Sequence, residues 1–236
     1  MKSFEDAKYV ITTDKKDFAK KLTPYVIYGG LLINGKNIDV EDVNDIICGY
    51  NSPKLSVKDV LDITDIKCAW RYAVKNFDTE IDVDFLCKIN SEIFWANIQK
   101  RGTLRKIKLP IEGINKPLAE PDALLMKKAL RVIQNQEQGI TAKAIKLFAY
   151  IIRVKPFLKR NTLTAYLVAN KYLAENGCKI LYVEADKQVD FWKETVKFDG
   201  GKINEEQYCR YIYENVTPVD TAMLNMLNVE RQNIAE

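Results

Sequence analysis

The sequence predicts an all-α, mainly helical fold carrying one short β-hairpin flap. Apolar residues recur at three-and-four spacing along most of the 236 residues, caps and Gly or Pro breaks punctuate that pattern, and a single stretch, 103–111, alternates instead. With 47% hydrophobic and 29% charged side chains, the chain can build one sizeable core.

Between residues 14 and 32, Phe18, Leu22, Tyr25, Val26 and Leu32 share one periodicity, and Pro24 breaks or kinks it. A helix is expected at 39–48 and another at 56–76. In the second, Ser56 is placed to cap, and Val57, Val60, Leu61, Ile63, Ile66, Ala69, Tyr72 and Ala73 supply the apolar positions. Residues 81–98 carry Phe85, Leu86, Ile89, Ile93, Phe94 and Ile98 on one face. Gly102 stops the pattern. In 103–111, Leu104, Lys106, Lys108 and Pro110 then alternate with Thr103, Arg105, Ile107, Leu109 and Ile111, which favours an extended hairpin. Helical spacing returns at 121–134 and at 141–154, the latter a central helix rich in Ile145, Leu147, Phe148, Ile151 and Ile152. After Pro156, Asn161 or Thr162 is placed to cap a second apolar helix that Gly177 closes. Peripheral helices are expected at 186–197, 204–214 and 218–233.

Composition narrows the chemistry. There is no histidine, so a histidine base, a histidine-activated nucleophile and histidine metal ligands are all excluded for this chain acting alone. Five cysteines stand singly, which suggests buried free thiols rather than a zinc site or disulfide framework. A net charge of +4 is too balanced to argue for nucleic acid. No apolar run approaches the roughly 18–20 residues of a spanning helix, and the first ten residues lack a signal-peptide core, so a cytoplasmic protein is expected.

The segment Lys155-Pro156-Phe157-Leu158-Lys159-Arg160-Asn161-Thr162, lying between two apolar helices, resembles the signature of the Fic/Doc (Fido) family in degenerate form. The family pattern is His-Pro-Phe-x-Asp/Glu-Gly-Asn-Gly-Arg-x-x-Arg. In register, Lys155 stands for the histidine, Lys159 for the acid, Arg160 and Thr162 for the glycines, and Leu163 and Tyr166 for the arginines. Pro156, Phe157 and Asn161 are retained. Residues 33–38 resemble the family's segment after its N-terminal helix, 81–93 a helix that begins Ile-Asp, and 100–111 its flap. The resemblance thus implies a Fic fold. Residues 1–50 would be an N-terminal extension resembling the inhibitory-helix region, 51–198 the Fic-like core, and 199–236 C-terminal helices.

In that family the histidine deprotonates a target hydroxyl, which attacks the α-phosphate of ATP or a related nucleotide. A free lysine titrates at roughly 10.4, well above the near-neutral value that suits a general base, so Lys155 is a weak catalytic candidate. Magnesium is not expected, because Lys159 replaces its acidic ligand. Lys159, Arg160, Asn161 and Thr162 are candidate nucleotide or anion contacts at a helix N-terminus; a solvated basic loop and a capping Asn161 are the plainer readings. The family's inhibitory Ser/Thr-x-x-x-Glu-Gly/Asn motif corresponds to Gly30, Asn34 and Gly35, so its glutamate and the arginine it faces are both absent. The flap Thr103, Leu104, Arg105, Lys106, Ile107, Lys108 and Leu109 would pair with an extended protein target, or be an ordinary hairpin.

The resulting expectation is a bacterial Fic-fold protein resembling protein adenylyltransferases but impaired in nucleotidyl transfer, binding protein through its flap. One alternative is an enzyme of this fold in which Lys155, Lys159 and Arg160 grip a phosphate-bearing ligand. The other is a nucleic-acid-binding helical module using a basic face formed by Lys15, Lys16, Lys20 and Lys21 or by the motif loop.

Overall fold

The computed structural model describes residues 4–9, 11, 13–93, 102–111 and 114–216. Its helices are α1 (Lys15–Lys21), α2 (Thr23–Ile33), α3 (Val40–Cys48), α4 (Val57–Lys75), α5 (Val83–Glu92), α6 (Ala123–Asn135), α7 (Ile140–Val154), α8 (Asn161–Glu175), α9 (Gln188–Asp199) and α10 (Glu205–Asn215). The strands β1 (Leu109–Ile111) and β2 (Ile114–Leu118) form one antiparallel hairpin, so the mainly helical fold with a small β element is as the sequence predicts. Among the described residues no helix is long and apolar enough to cross a membrane.

Local chemistry sets the boundaries. Pro24 ends the first periodic run and sits in the opening turn of α2, where its missing N–H costs nothing. Ser56 and Asp59 form a reciprocal capping box on α4, and Asn204 with Gln207 form another on α10. Asp39 caps α3. The helix expected over 81–98 is described through Glu92, with Ile93 at its C-cap; residues 94–98, and the helix expected at 218–233, lie outside the described residues.

Helix α8 is the centre. It packs against α7 and is also touched by α1, α2, α4 and α5, and residues 163–171 are buried without interruption. A helix enclosed on all sides must satisfy its polar side chains internally. Asn170 donates to the Leu181 carbonyl at 3.1 Å and accepts from its N–H at 2.7 Å. The Lys171 ammonium reaches the Thr79 carbonyl at 2.6 Å and Glu175 at 2.7 Å.

Three local expectations need correction. The hairpin begins at Leu109, not at Thr103, because Arg105 is drawn inward and fixes 103–108 in irregular backbone. Val57 and Leu61, placed among the apolar positions of α4, are 78% and 40% exposed; Asp62 and Asp65 occupy the buried face instead. Cys178 and Cys209 are buried free thiols, whereas Cys48 is exposed.

Gly29 lets α2 approach α8. A Cβ there would lie 2.4 Å from the Tyr166 hydroxyl oxygen. Gly29→Ala should therefore cost about 1–3 kcal/mol in urea unfolding, despite Ala's better helix propensity. In a Tyr166→Phe background, which removes the clashing oxygen, the same change should cost at least about 1 kcal/mol less. Equal costs in both backgrounds would show that this contact does not limit the packing.

Candidate functional site

The loop joining α7 to α8 carries the motif, and left-handed residues bound it. Lys155 ends α7 with φ 43°, and Arg160 precedes α8 with φ 61°. Arg160 is the residue before the first turn, so neither Asn161 nor Thr162 caps the helix, and no side chain does. Left-handed backbone favours glycine and costs a side-chain-bearing residue about 1–2 kcal/mol. Position 160, which the resemblance assigns to a glycine, thus has backbone that a glycine adopts readily, although an arginine occupies it.

The charged groups of the motif go to different places. The Lys155 ammonium lies 2.6 Å from Asp199 at the end of α9. Burial pushes the Asp199 carboxyl above its ordinary value, against the pull of Lys155 and Arg153. Arg153 is 3.8 Å from the centre of the Phe198 ring, a cation–π contact that docks the same end of α9. Arg160 turns the other way and pairs with Asp62 on α4. Lys36, just beyond α2, lies 2.6 Å from the other Asp62 oxygen and also pairs with Asp59. Lys159 is the motif cation with an exposed side chain.

Asn161 is committed to the loop. Its amide oxygen accepts from the Phe157 N–H at 2.9 Å and its amide nitrogen donates to the Phe157 carbonyl at 2.8 Å. Asn90, 1% exposed on α5, braces the loop from behind. Its amide donates to the Lys159 carbonyl at 3.3 Å and to the Thr164 hydroxyl at 3.1 Å, and its oxygen accepts from Gly102 N–H at 3.1 Å.

Arg105 departs most from expectation. Read from sequence as a flap residue facing a target, it is 3% exposed. Its guanidinium donates to the carbonyls of Lys155 at 2.7 Å, Ile107 at 2.6 Å, Ala119 at 2.6 Å and Val154 at 3.2 Å, and the Arg105 backbone N–H donates to the Pro156 carbonyl at 2.9 Å. Burial lowers its pKa from the ordinary arginine value, with Glu120 acting in the opposite sense. Two of those carbonyls belong to the last turn and cap of α7, where orphan acceptors and the helix dipole favour a cation. Thr103, Lys106, Ile107 and Lys108 stay exposed, while Leu104 and Leu109 are half-buried.

The residues that the resemblance assigns to the inhibitory motif lie on α2 and just after it, and α2 packs on α8. A Cβ on Gly30 would be 3.1 Å from the Leu163 side chain, which is fully buried. Gly30 of α2 and Leu163 of α8 therefore face each other through an apolar contact. Asn34 caps α2, and Gly35 turns the chain with φ 81°.

This geometry is that of a Fic fold, and solved structures agree. Fic-1 from C. elegans superposes with a TM-score of 0.67 at 16% identity, covering 94% of this chain and 71% of that one. A Fic domain containing signaling protein from Bacteroides thetaiotaomicron gives 0.68 at 15% identity, covering 85% of each chain. A Fic family protein from Desulfovibrio desulfuricans gives 0.62 at 13% identity, covering 93% of this chain and 67% of the other. At such identities the likeness establishes the fold. No protein-family model and no curated protein matches the sequence.

Sequence reasoning missed Asp62, Asp199, Asn90 and the inward turn of Arg105. The signal for Asp62 was present: it shares the buried stripe of α4 with Ile66, Ala69 and Ala73. Burial raises the Asp62 pKa, but hydrogen bonds and charge from Lys36 and Arg160 outweigh it, and the net direction is downward from 3.8. A carboxyl lowered in the folded state stabilises the protein above its unfolded pKa and loses that contribution as pH falls through the folded value. Asp62→Asn should cost about 2 kcal/mol near neutral pH. In denaturant unfolding across pH, the gap to wild type should close below 3.8. A gap that stays constant down to acid unfolding would rule out the ion pairs as its source.

Proposed function

We propose that this chain is a Fic-fold protein impaired in nucleotidyl transfer that acts by binding another protein on its flap face. The observation that carries the first part is the commitment of the motif's side chains to the fold itself: Lys155 to Asp199, Arg160 to Asp62 and Asn161 to Phe157. In the mechanism the resemblance implies, those positions serve the base, the phosphate cradle and a ligand contact. The residues also do not suit magnesium nucleotide. Lys159 brings a positive charge to the metal-ligand position, Leu163 is packed under α2, and the Arg160 side chain occupies a place where glycine would leave backbone open to phosphate.

Protein binding rests on exposure. Ile107 is 53% exposed between the exposed Lys106 and Lys108, and Leu158 in the motif loop is 41% exposed. Arg105 ties these two segments together through Pro156 and Lys155. Side-chain contacts suit this surface better than an added strand. Pro110 in β1 and Pro117 in β2 have no N–H to offer a third strand, and both strands of a two-stranded hairpin are edges.

The test has two parts. Incubation with Mg-ATP labelled at the α-phosphate should leave this protein and added protein substrates unlabelled, and calorimetry should show no ATP binding at micromolar concentration. Peptides selected by display against the folded chain should lose at least tenfold in affinity on Ile107→Asp or Leu158→Asp. Transfer of label that depends on Lys155 would overturn the first part. Selected peptides indifferent to both substitutions would overturn the second. ATP binding lost on Arg160→Ala, without transfer, would favour the phosphate-gripping enzyme.

A further inference from the structure

Away from the motif loop, α1 and α4 enclose a cavity of about 460 Å³ lined by Lys16, Lys20, Thr23, Lys67, Trp70, Arg71, Val74 and Lys75. We infer that it is a binding site for a small organic anion with an apolar body, such as a long-chain carboxylate or phosphate ester.

The helical spacing builds the cavity. Lys67, Trp70, Arg71, Val74 and Lys75 fall at successive steps of three, one, three and one, which is one stripe of α4. Lys16 and Lys20 are one turn apart on α1 and form the facing wall. The base is rigid and almost wholly covered: Trp70 and Val74 are 1% and 4% exposed, and the indole N–H donates to the Ala19 carbonyl at 3.2 Å, fixing the ring against α1. Lysine and arginine stems supply the carbon surface above it and carry their charges to the rim.

Charge selects the ligand. Lys16, Lys20, Lys67, Arg71 and Lys75 are all cationic, and no carboxylate is among the described lining residues. Three of them are partly engaged: Lys20 with Asp17 at 2.7 Å, Lys67 with the Ile47 carbonyl at 2.7 Å, and Arg71 with the Cys68 sulfur at 3.9 Å. Lys16, Arg71 and Lys75 complete the rim on both walls. A neutral apolar ligand would leave that positive field unanswered, and a bare inorganic anion would leave the carbon surface of the lysine and arginine stems uncovered. A nucleic-acid strand needs a basic track along a surface, whereas here the cations ring a concavity walled by their own carbon stems. The volume lies within the roughly 300–1,000 Å³ usual for small-molecule sites.

The probe is 1-anilinonaphthalene-8-sulfonate, an aromatic body with one anionic group, titrated into the full chain and read by fluorescence, including energy transfer from tryptophan. Saturable one-to-one binding is expected, weakened at least tenfold by the double charge reversal of the exposed Arg71→Glu and Lys75→Glu. Trp70→Phe should remove most of the energy transfer. Lys159→Glu, in the motif loop, should change nothing. The uncharged N-phenyl-1-naphthylamine should bind at least tenfold more weakly, and dodecanoate or dodecyl phosphate should displace the probe. Circular dichroism of each variant confirms that the helices are intact. Binding unchanged by the double reversal would overturn the proposal, as would equal affinity for the uncharged analogue. Displacement by an oligothymidylate, but by neither dodecyl compound, would assign the cations to nucleic acid and overturn it as well.

Discussion

Helix α7 is held at its two ends by opposite charges that arrive from distant parts of the chain, and the motif loop depends on that arrangement. At the amino end Gly139 offers no side chain, and Asp6 supplies the cap, accepting from Ile140 N–H at 3.0 Å and Thr141 N–H at 2.7 Å. At the carboxyl end the Arg105 guanidinium collects the carbonyls that the helix leaves unpaired. An anion at the start and a cation at the end both agree with the helix dipole. Charge-assisted bonds of this kind contribute roughly 1.5–3 kcal/mol each, and those of Arg105 share one rigid planar group.

Because Arg105 bonds to Lys155 and Pro156 as well as to Ile107 and Ala119, the start of the motif loop and the approach to the hairpin are set by the same residue. The loop then has little freedom before it enters α8. Asn161 closes it on Phe157, and Asn90 holds it from α5. The left-handed backbone at Arg160 survives in a residue with a bulky side chain, and the pair with Asp62 helps offset its cost. The shape of the loop is set by the surrounding fold, and Lys155, Arg160 and Asn161 on it have structural partners.

Helix periodicity, caps and breaks made most of the architecture legible in the sequence, because each depends on residues within a turn or two. Ser56, Asp39, Asn204 and Pro24 mark boundaries that the structure reproduces. What escaped was long-range. The alternation around Arg105 has the pattern of a strand, and only the position of α7's last carbonyls reveals that this arginine points inward. The cluster of Lys155, Lys159 and Arg160 reads as one basic site in sequence. It is divided in three dimensions because Asp199 and Asp62 approach from α9 and α4, at separations of 44 and 98 residues. A buried aspartate on an amphipathic stripe is a local clue that a cation waits elsewhere, and Asp62 provided it.

The central claim is that the guanidinium groups beside the motif loop hold the fold and are not held ready for an anion. Nitrogen-resolved NMR of the arginine side chains measures this directly. For Arg105 and Arg160, slow rotation about the Nε–Cζ bond is expected, with signals that do not move when chloride is exchanged for phosphate at constant ionic strength. Rapidly averaged signals for these two residues, shifting in a saturable way with phosphate, would contradict the account.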